Sequence, residues 1–158
     1  MKVAGIDLST FAVDVVKVPL DAGAPEWSHY PLTGVDAWER TRSVAQALPG
    51  PSSAYWDDVC AIGVEEPRGK SAGVIYRVQG AVLARLPVAT LVHPLVPSEW
   101  RRIVGLKGNA SKEDVRVHAL AEIREFAVGN WRAASYDATD AFCIAVATRS
   151  LISQEQAA

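Results

Sequence analysis

Residues 2–20 read KVAGIDLSTFAVDVVKVPL, and the fold is decided there. Lys2 to Leu8 is a short apolar run carrying a single acid, Asp7. The polar Ser9 and Thr10 break it, and Phe11 to Leu20 resumes with Val13, Val15 and Pro19 marking an extended ribbon. Two adjacent strands follow from that pattern. A third is expected over Glu26 to Leu32, held to a sheet edge by Pro25 and Pro31. From Gly34 the period changes, and Val35, Trp38, Val44, Ala45 and Leu48 follow helical spacing up to the Pro49-Gly50-Pro51 breaker.

Downstream the chain alternates. Asp58 to Val64 (DVCAIGV) is apolar almost throughout, as a strand covered on both faces should be, and it runs into Glu65 and Glu66. After Pro67, Val74, Val78, Ala81 and Val82 predict a helix in which Gly73 and Gly80 would permit close backbone approach. A strand is expected over Val88 to His93, then a short helix capped by Ser98 and carrying Trp100, Ile103 and Val104, then the glycine-rich loop GLKGNA. Ser111 with Asp114 resembles a capping box opening a helix with Val115, Ala119, Ile123 and Ala127 on one side. The last helix starts near Asp137 and runs toward Leu151. The expected class is α/β: a mixed five-stranded sheet with helices on both faces, in one domain over residues 1–153, with 154–158 a frayed tail.

The 158 residues, 49% hydrophobic and 22% charged, suit one core. A net charge of −2 lacks the basic excess of many nucleic-acid binders, although an enzyme that gathers carboxylates at one site lowers its own total while keeping a basic stripe elsewhere. Cys60 and Cys143 sit in apolar runs without CxxC pairing, which argues against a disulfide framework or zinc knuckle. No segment approaches a membrane span, so a reducing cytoplasm is the expected location.

Four acids stand at the ends of apolar elements: Asp7 on the first strand, Glu65 after the central one, and Asp137 and Asp140 one turn apart on the last helix. Singly, each has a bland role as turn former, solvated strand end, N-cap or first-turn acid. Jointly, converging carboxylates at a core edge repel one another, and a divalent cation is the simple remedy. Mg²⁺ prefers hard oxygen ligands and suits phosphoryl chemistry, in which two ions about 4 Å apart activate water and stabilise the leaving oxygen.

GIDLST with Asp7, IGVEEP with Glu65, GLKGNASKEDV with Lys112, and YDATDAFCIAVA with Asp137 and Asp140 resemble the successive motifs of RuvC-type Holliday-junction resolvases, and they span nearly the whole chain. The resemblance implies an RNase H-like fold, a homodimer, and paired Mg²⁺-dependent incisions in four-way DNA junctions, with Mn²⁺ as a substitute metal. By the same likeness Asp7, Glu65, Asp137 and Asp140 bind metal, and Lys112 sits near the scissile phosphate. Within the pair, the family pattern puts the metal acid directly after the strand's last apolar residue, which selects Glu65 over Glu66. The chain departs from the bacterial pattern at Leu8, Ser9 and Thr10, where a glycine is usual, and at Arg68, where an aromatic probes the opened junction. That fits a divergent, phage-type relative with looser choice among branched DNAs.

Candidate DNA contacts are Arg68, Lys70, Arg101, Arg102, Lys107 and Lys112, with Trp100 a candidate to stack on DNA. His29, His93 and His118 show no metal-binding spacing and read as surface or core-edge residues. The competing readings are an RNase H-like nuclease for flaps, forks or RNA–DNA hybrids, a non-catalytic nucleotide-binding domain of the actin and sugar-kinase type suggested by GIDLST, and a DNA-binding module without activity.

Overall fold

The computed structural model describes residues 1–68, 72–124, 131 and 135–157. Strand β1 (Lys2–Leu8) pairs antiparallel with β2 (Ala12–Pro19), in register from Lys2 opposite Pro19 to Leu8 opposite Val13. Ser9 builds the turn: its hydroxyl accepts from the amides of Phe11 (3.2 Å) and Ala12 (2.9 Å). Strand β3 (Glu26–Pro31) lies antiparallel on the outer side of β2, as its prolines lead one to expect. Strand β4 (Val59–Glu65) runs parallel to β1, and β5 (Leu91–Leu95) parallel to β4, giving the order β3-β2-β1-β4-β5.

Alternation along the strands makes two cores. Ala4, Ile6, Val13, Val15, Ile62 and Val64 face one side, with Val44 of helix α1 (Ala37–Ala47) and Val78 and Val82 of α2 (Ala72–Leu83). Val3, Val16, Val18 and Ala61 face the other, under α5 (Tyr136–Ala157), which α3 (Pro97–Ile103) and α4 (Lys112–Arg124) cover in turn. Helix α5 is sandwiched between layers, so Ala138, Ala141, Cys143, Ile144, Ala145 and Ala147 are all buried, and past its first turn its exposed polar residues, among those described, come only at its end, from Ser153 to Glu155.

Several expectations shift. Gly73 and Gly80 admit no close neighbour: a Cβ added at either would meet nothing within 4 Å. The close approach occurs at Gly5 and Gly63, where a Cβ would lie 2.1 Å from the Ala141 carbonyl oxygen and 2.0 Å from Thr148 Oγ1. The fifth strand begins at Leu91 instead of Val88, which is fully exposed in the turn after Pro87, and it continues through Pro94. As an edge strand it tolerates proline, whose missing N–H costs no ladder bond. Helix α3 starts one residue before Ser98, with Pro97 in its first turn and the Glu99 carboxylate accepting from the Val96 amide at 3.4 Å. Val35 and Trp38 are exposed, and Ser43, Val44 and Leu48 are the inward side of that segment. Val115, Ala119 and Ile123 do form the buried side of α4, while Ala127 lies outside the described residues. Helix α5 extends through residue 157, into the 154–158 tail.

Gly5→Ala should therefore destabilise the protein by about 3 kcal/mol or more, since its new methyl meets helix backbone that cannot rotate away. A urea midpoint within error of the parent's would contradict this packing.

Candidate active site

Because Gly5 and Asp7 are two apart on β1, and Gly63 and Glu65 two apart on β4, each acid shares a face with the glycine that admits α5. Helix α5 presses on Gly5 through Ala141 and Ala145, which brings the preceding Asp140 and, one turn earlier, Asp137 toward the strand ends. The result is a cleft of about 370 Å³ lined by Asp7, Leu8, Ser9, Thr10, Glu65, Ile75, Arg101, Lys112, Asp137 and Asp140. All four expected acids and Lys112 meet there.

Lys112 is the first residue of α4, and a reciprocal capping box places it: the Asp114 carboxylate accepts from the Ser111 amide (2.9 Å) and hydroxyl (2.8 Å), and Ser111 Oγ accepts from the Asp114 amide (3.1 Å). Its Nζ stands 3.4 Å from Asp137 Oδ1 and 3.9 Å from Asp140 Oδ2. Glu65 Oε2 accepts from Trp100 Nε1 at 2.9 Å, and Asp7 Oδ1 accepts from the Leu8 amide at 2.9 Å. Asp140 Oδ1 is buried with no hydrogen-bond partner among the described residues.

The electrostatics follow from crowding. Burial, then the charges of Glu65, Asp140 and Asp137, raise the Asp7 carboxyl well above its ordinary range. Burial pushes Asp140 up to about 7, against the pull of Lys112 and with the push of Glu65. Burial also raises Glu65, although Trp100, Arg101 and Lys112 oppose it. Burial works to lower Lys112, and the charges of Asp140, Asp137 and Asp7 overcome it and raise the ammonium. Two cations thus face four acids in one cleft.

Among the described residues no three His, Cys, Asp or Glu side chains converge as a finished metal cage. The donor chemistry nonetheless suits a hard cation: every donor is a carboxylate oxygen, one is buried without a partner, and the acids outnumber the cations. Mg²⁺ is commonly held by only one or two carboxylates and several waters, so an open site is compatible with it.

The remaining candidates divide. Arg101 lines the cleft, with its guanidinium 4.9 Å from the Trp100 ring. Lys107 lies in a separate groove with Leu106, Val117 and His118, and the exposed Arg102 packs against Gly108. Arg68 is tied to Glu66 at 2.9 Å outside the cleft, and Lys70 lies outside the described residues. Trp100 cannot stack on DNA, being fully buried beneath Glu65. Its apolar neighbours Ile103 and Val104 were the signal in the sequence for that inward orientation. Asp14, which no sequence motif singles out, is a buried carboxylate that accepts from Trp27 Nε1 at 2.8 Å and meets His29 Nδ1 at 3.1 Å. Its position opposite Asp7 in the β1–β2 register was the available clue.

A sheet ordered 3-2-1-4-5, antiparallel through its first three strands and parallel beyond, with helices on both faces, is the RNase H-like fold. The structure of Thermus thermophilus RuvC matches it with a TM-score of 0.72 at 19% identity, covering 98% of this chain and 97% of that one. T. thermophilus RuvC in complex with Holliday junction substrate matches with a TM-score of 0.71 at 19% identity, over 98% and 96% of the two chains. The yeast mitochondrial Holliday junction resolvase Ydc2 matches with a TM-score of 0.62 at 13% identity, over 98% and 82%. No protein-family model and no curated protein sequence matches the chain.

The raised carboxyls set a pH dependence. Asp140 binds a proton in the folded state between its ordinary 3.8 and about 7, where the unfolded chain releases it, so stability falls as pH rises through that window. Metal-free protein in EDTA should melt several degrees higher near about pH 5.5 than near about pH 8. Asp140→Asn should remove its share of that difference and leave the part due to Asp7. A flat melting temperature across the window would show that the cleft acids ionise without cost.

Proposed function

We propose that this protein is a structure-selective endonuclease of the crossover-junction type, cutting four-way DNA junctions by Mg²⁺-dependent phosphodiester hydrolysis. The observation that carries the reading is the convergence of Asp7, Glu65, Asp137 and Asp140 with Lys112 in one cleft, with an Asp140 oxygen unpartnered among the described residues. The RNase H-like fold supports it, as does the solved complex of a structural neighbour with Holliday junction substrate. Asp7, Glu65, Asp137 and Asp140 would hold Mg²⁺, with Mn²⁺ as a substitute. Bound there, the metal supplies water activation at neutral pH and charge stabilisation at the leaving oxygen.

The chain's own groups do the rest. Lys112 and Arg101 attract the scissile phosphate into the cleft and oppose the charge that grows on its oxygens. Trp100 holds the Glu65 carboxylate in one orientation through its indole N–H, an indirect constraint of the kind that tunes a ligand. The depth of Asp7 and Asp140 keeps bulk water away from the reacting oxygens and strengthens each charge there.

The reading includes a homodimer of the single domain 1–153, since two coordinated cuts in a two-fold junction call for two sites related by the same symmetry. Helix α2 supplies a matching surface. Gly73, Tyr76, Gly80 and Leu83 recur at intervals of three and four, all are exposed, and the bare glycines leave room for a second helix backbone. The site of action is the cytoplasm of a bacterial or phage-infected cell. No helix among the described residues is long and apolar enough to cross a membrane. The pairing of Arg68 with Glu66, at the position where an aromatic probe was expected to be absent, favours broad acceptance of branched DNA, flaps and forks included.

The direct test is a synthetic immobile four-way junction with Mg²⁺, with products mapped on every strand beside flap, fork and RNA–DNA hybrid substrates. Glu65→Gln should lower cleavage on the order of a thousand-fold while junction binding persists. Glu66→Gln, whose side chain meets Arg68 outside the cleft, should cut at close to the parent rate. The reverse ranking would move the site to Glu66.

Leu83→Glu should yield a monomer at micromolar concentration by light scattering, and should uncouple the two cuts on one junction. A parent protein that is itself monomeric, with and without junction DNA, would end the dimer reading.

A further inference from the structure

A second feature flanks the cleft and has no part in holding metal or phosphate at the reacting centre. Leu8, Ser9 and Thr10 form one wall of the cleft, and the next residue, Phe11, stands 66% exposed at the tip of the β1–β2 hairpin. The tip is pinned from two sides. Phe11 donates its amide to Ser9 Oγ at 3.2 Å, and its carbonyl accepts from the Leu32 amide at 2.8 Å. The Arg40 guanidinium lies over the Phe11 ring, 4.7 Å from its centroid. Arg40 belongs to the first turn of α1, as does Trp38, which is 65% exposed and carries the guanidinium of Arg77 at 5.6 Å. Arg77 belongs to α2. The Phe11–Arg40 pair therefore continues from the cleft wall at the hairpin, and the Trp38–Arg77 pair extends the row from the first turn of α1 to α2.

Isolated exposed apolar residues need no explanation. Two exposed aromatics, each overlaid by an arginine and linked through the first turn of α1, are a different pattern. A cation–π contact at an exposed site contributes only about 0.5–1 kcal/mol, too little to account for keeping a Trp and a Phe in water. Neither arginine meets a carboxylate among the described residues. Arg40 gives one donor to the Gly34 carbonyl at 3.2 Å, and its Nε is buried. The row thus presents exposed aromatic rings beside cations that no carboxylate neutralises.

We infer that this row is a stacking shelf for unpaired nucleobases of a DNA strand leaving the cleft. In duplex DNA each base face is already covered by its neighbours, and phosphates alone would call for Lys and Arg without aromatic rings. Unpaired bases expose ring faces that stack on aromatic side chains and guanidinium planes, with arginine charge serving the adjacent phosphates. Branch points, forks and single strands supply such bases. The shelf takes the role that the buried Trp100 cannot fill, and it gives the branched-DNA reading on which it rests a means of distinguishing a branch from a duplex.

The test measures equilibrium binding in EDTA, so that nothing is cut, to three probes: an oligothymidylate single strand, an immobile four-way junction and a blunt duplex of matched length. Phe11→Ala should weaken single-strand and junction binding about ten-fold and leave duplex binding unchanged, Trp38→Ala should act in the same direction, and Phe11→Tyr should restore the parent affinity. The proposal is overturned by unchanged single-strand affinity in Phe11→Ala, by an equal loss on the duplex, or by an altered oligomeric mass, which would mark the row as a surface between protein chains. Parent protein that binds the single strand in this Phe11-dependent way yet leaves the junction intact in Mg²⁺ would keep the shelf and sink the nuclease. Parent protein that cuts junctions while Phe11→Ala binds every probe normally would do the opposite.

Discussion

The close approach of α5 to the middle of the sheet governs the rest of the molecule. Its backbone passes so near Gly5, and its Thr148 and Ile144 side chains so near Gly63, that no side chain fits at either glycine. That contact sets the height of α5 above the sheet and, through the helical rise, the position of Asp140 one residue before Ala141. The strands add a matching feature of their own. Gly5-Ile6-Asp7 and Gly63-Val64-Glu65 repeat the same three-residue pattern: a glycine that admits the helix, an apolar residue facing the opposite core, and an acid where the helix begins to clear the strand. Helix packing and acid placement are thus one geometric fact.

Two buried acids on this face of the sheet show how burial can mean different things. Asp14, opposite Asp7 in register, is as deeply buried as any charged residue here, and the Trp27 indole and His29 ring meet its oxygens. Such a group is a satisfied structural carboxylate. Asp140 has a buried oxygen with no donor among the described residues, faces three further acids, and is pushed up to about 7. Leaving a buried acceptor unmet costs about 1–3 kcal/mol, and mutual repulsion adds to it. Lys112 and Arg101 offset only part of that cost, and on the proposed function a bound cation would complete the balance.

What the sequence made legible depended on whether a local pattern was tied to a local cause. Strands β1, β2 and β4 are nearly continuous apolar runs because both faces of the central sheet are covered, and their limits could be read within a residue or so. The Ser111–Asp114 box is a contact between neighbours in the chain, and it stands as expected. The ordered acids were legible as a set, and they do line one cleft. Features that depend on distant partners were not. Glycines 73 and 80 have the same local appearance as glycines 5 and 63, and only the tertiary contact with α5 separates them. Strand β5 contains Pro94, which reads as a terminator until its edge position is known. Arg101 and Arg102 are adjacent in the chain, yet helical geometry sends one into the cleft and the other toward Gly108.

The same division explains how a chain only 19% identical to T. thermophilus RuvC can share its fold over almost its full length. Cores accept extensive hydrophobic substitution when volume and patterning persist, so the two apolar layers constrain residue class more than identity. The glycine–acid units are stricter, because a methyl group at either glycine meets an atom at about 2 Å and a shift of one residue would turn each acid to the opposite face. The rim is the least constrained part. Phe11, Trp38, Arg40 and Arg77 touch little of the core, so this surface can change its chemistry without disturbing the α5 contact that holds the acids in place. On the proposed function, substrate selectivity can therefore diverge on the hairpin tip and the α1–α2 edge while the acids beneath keep their geometry.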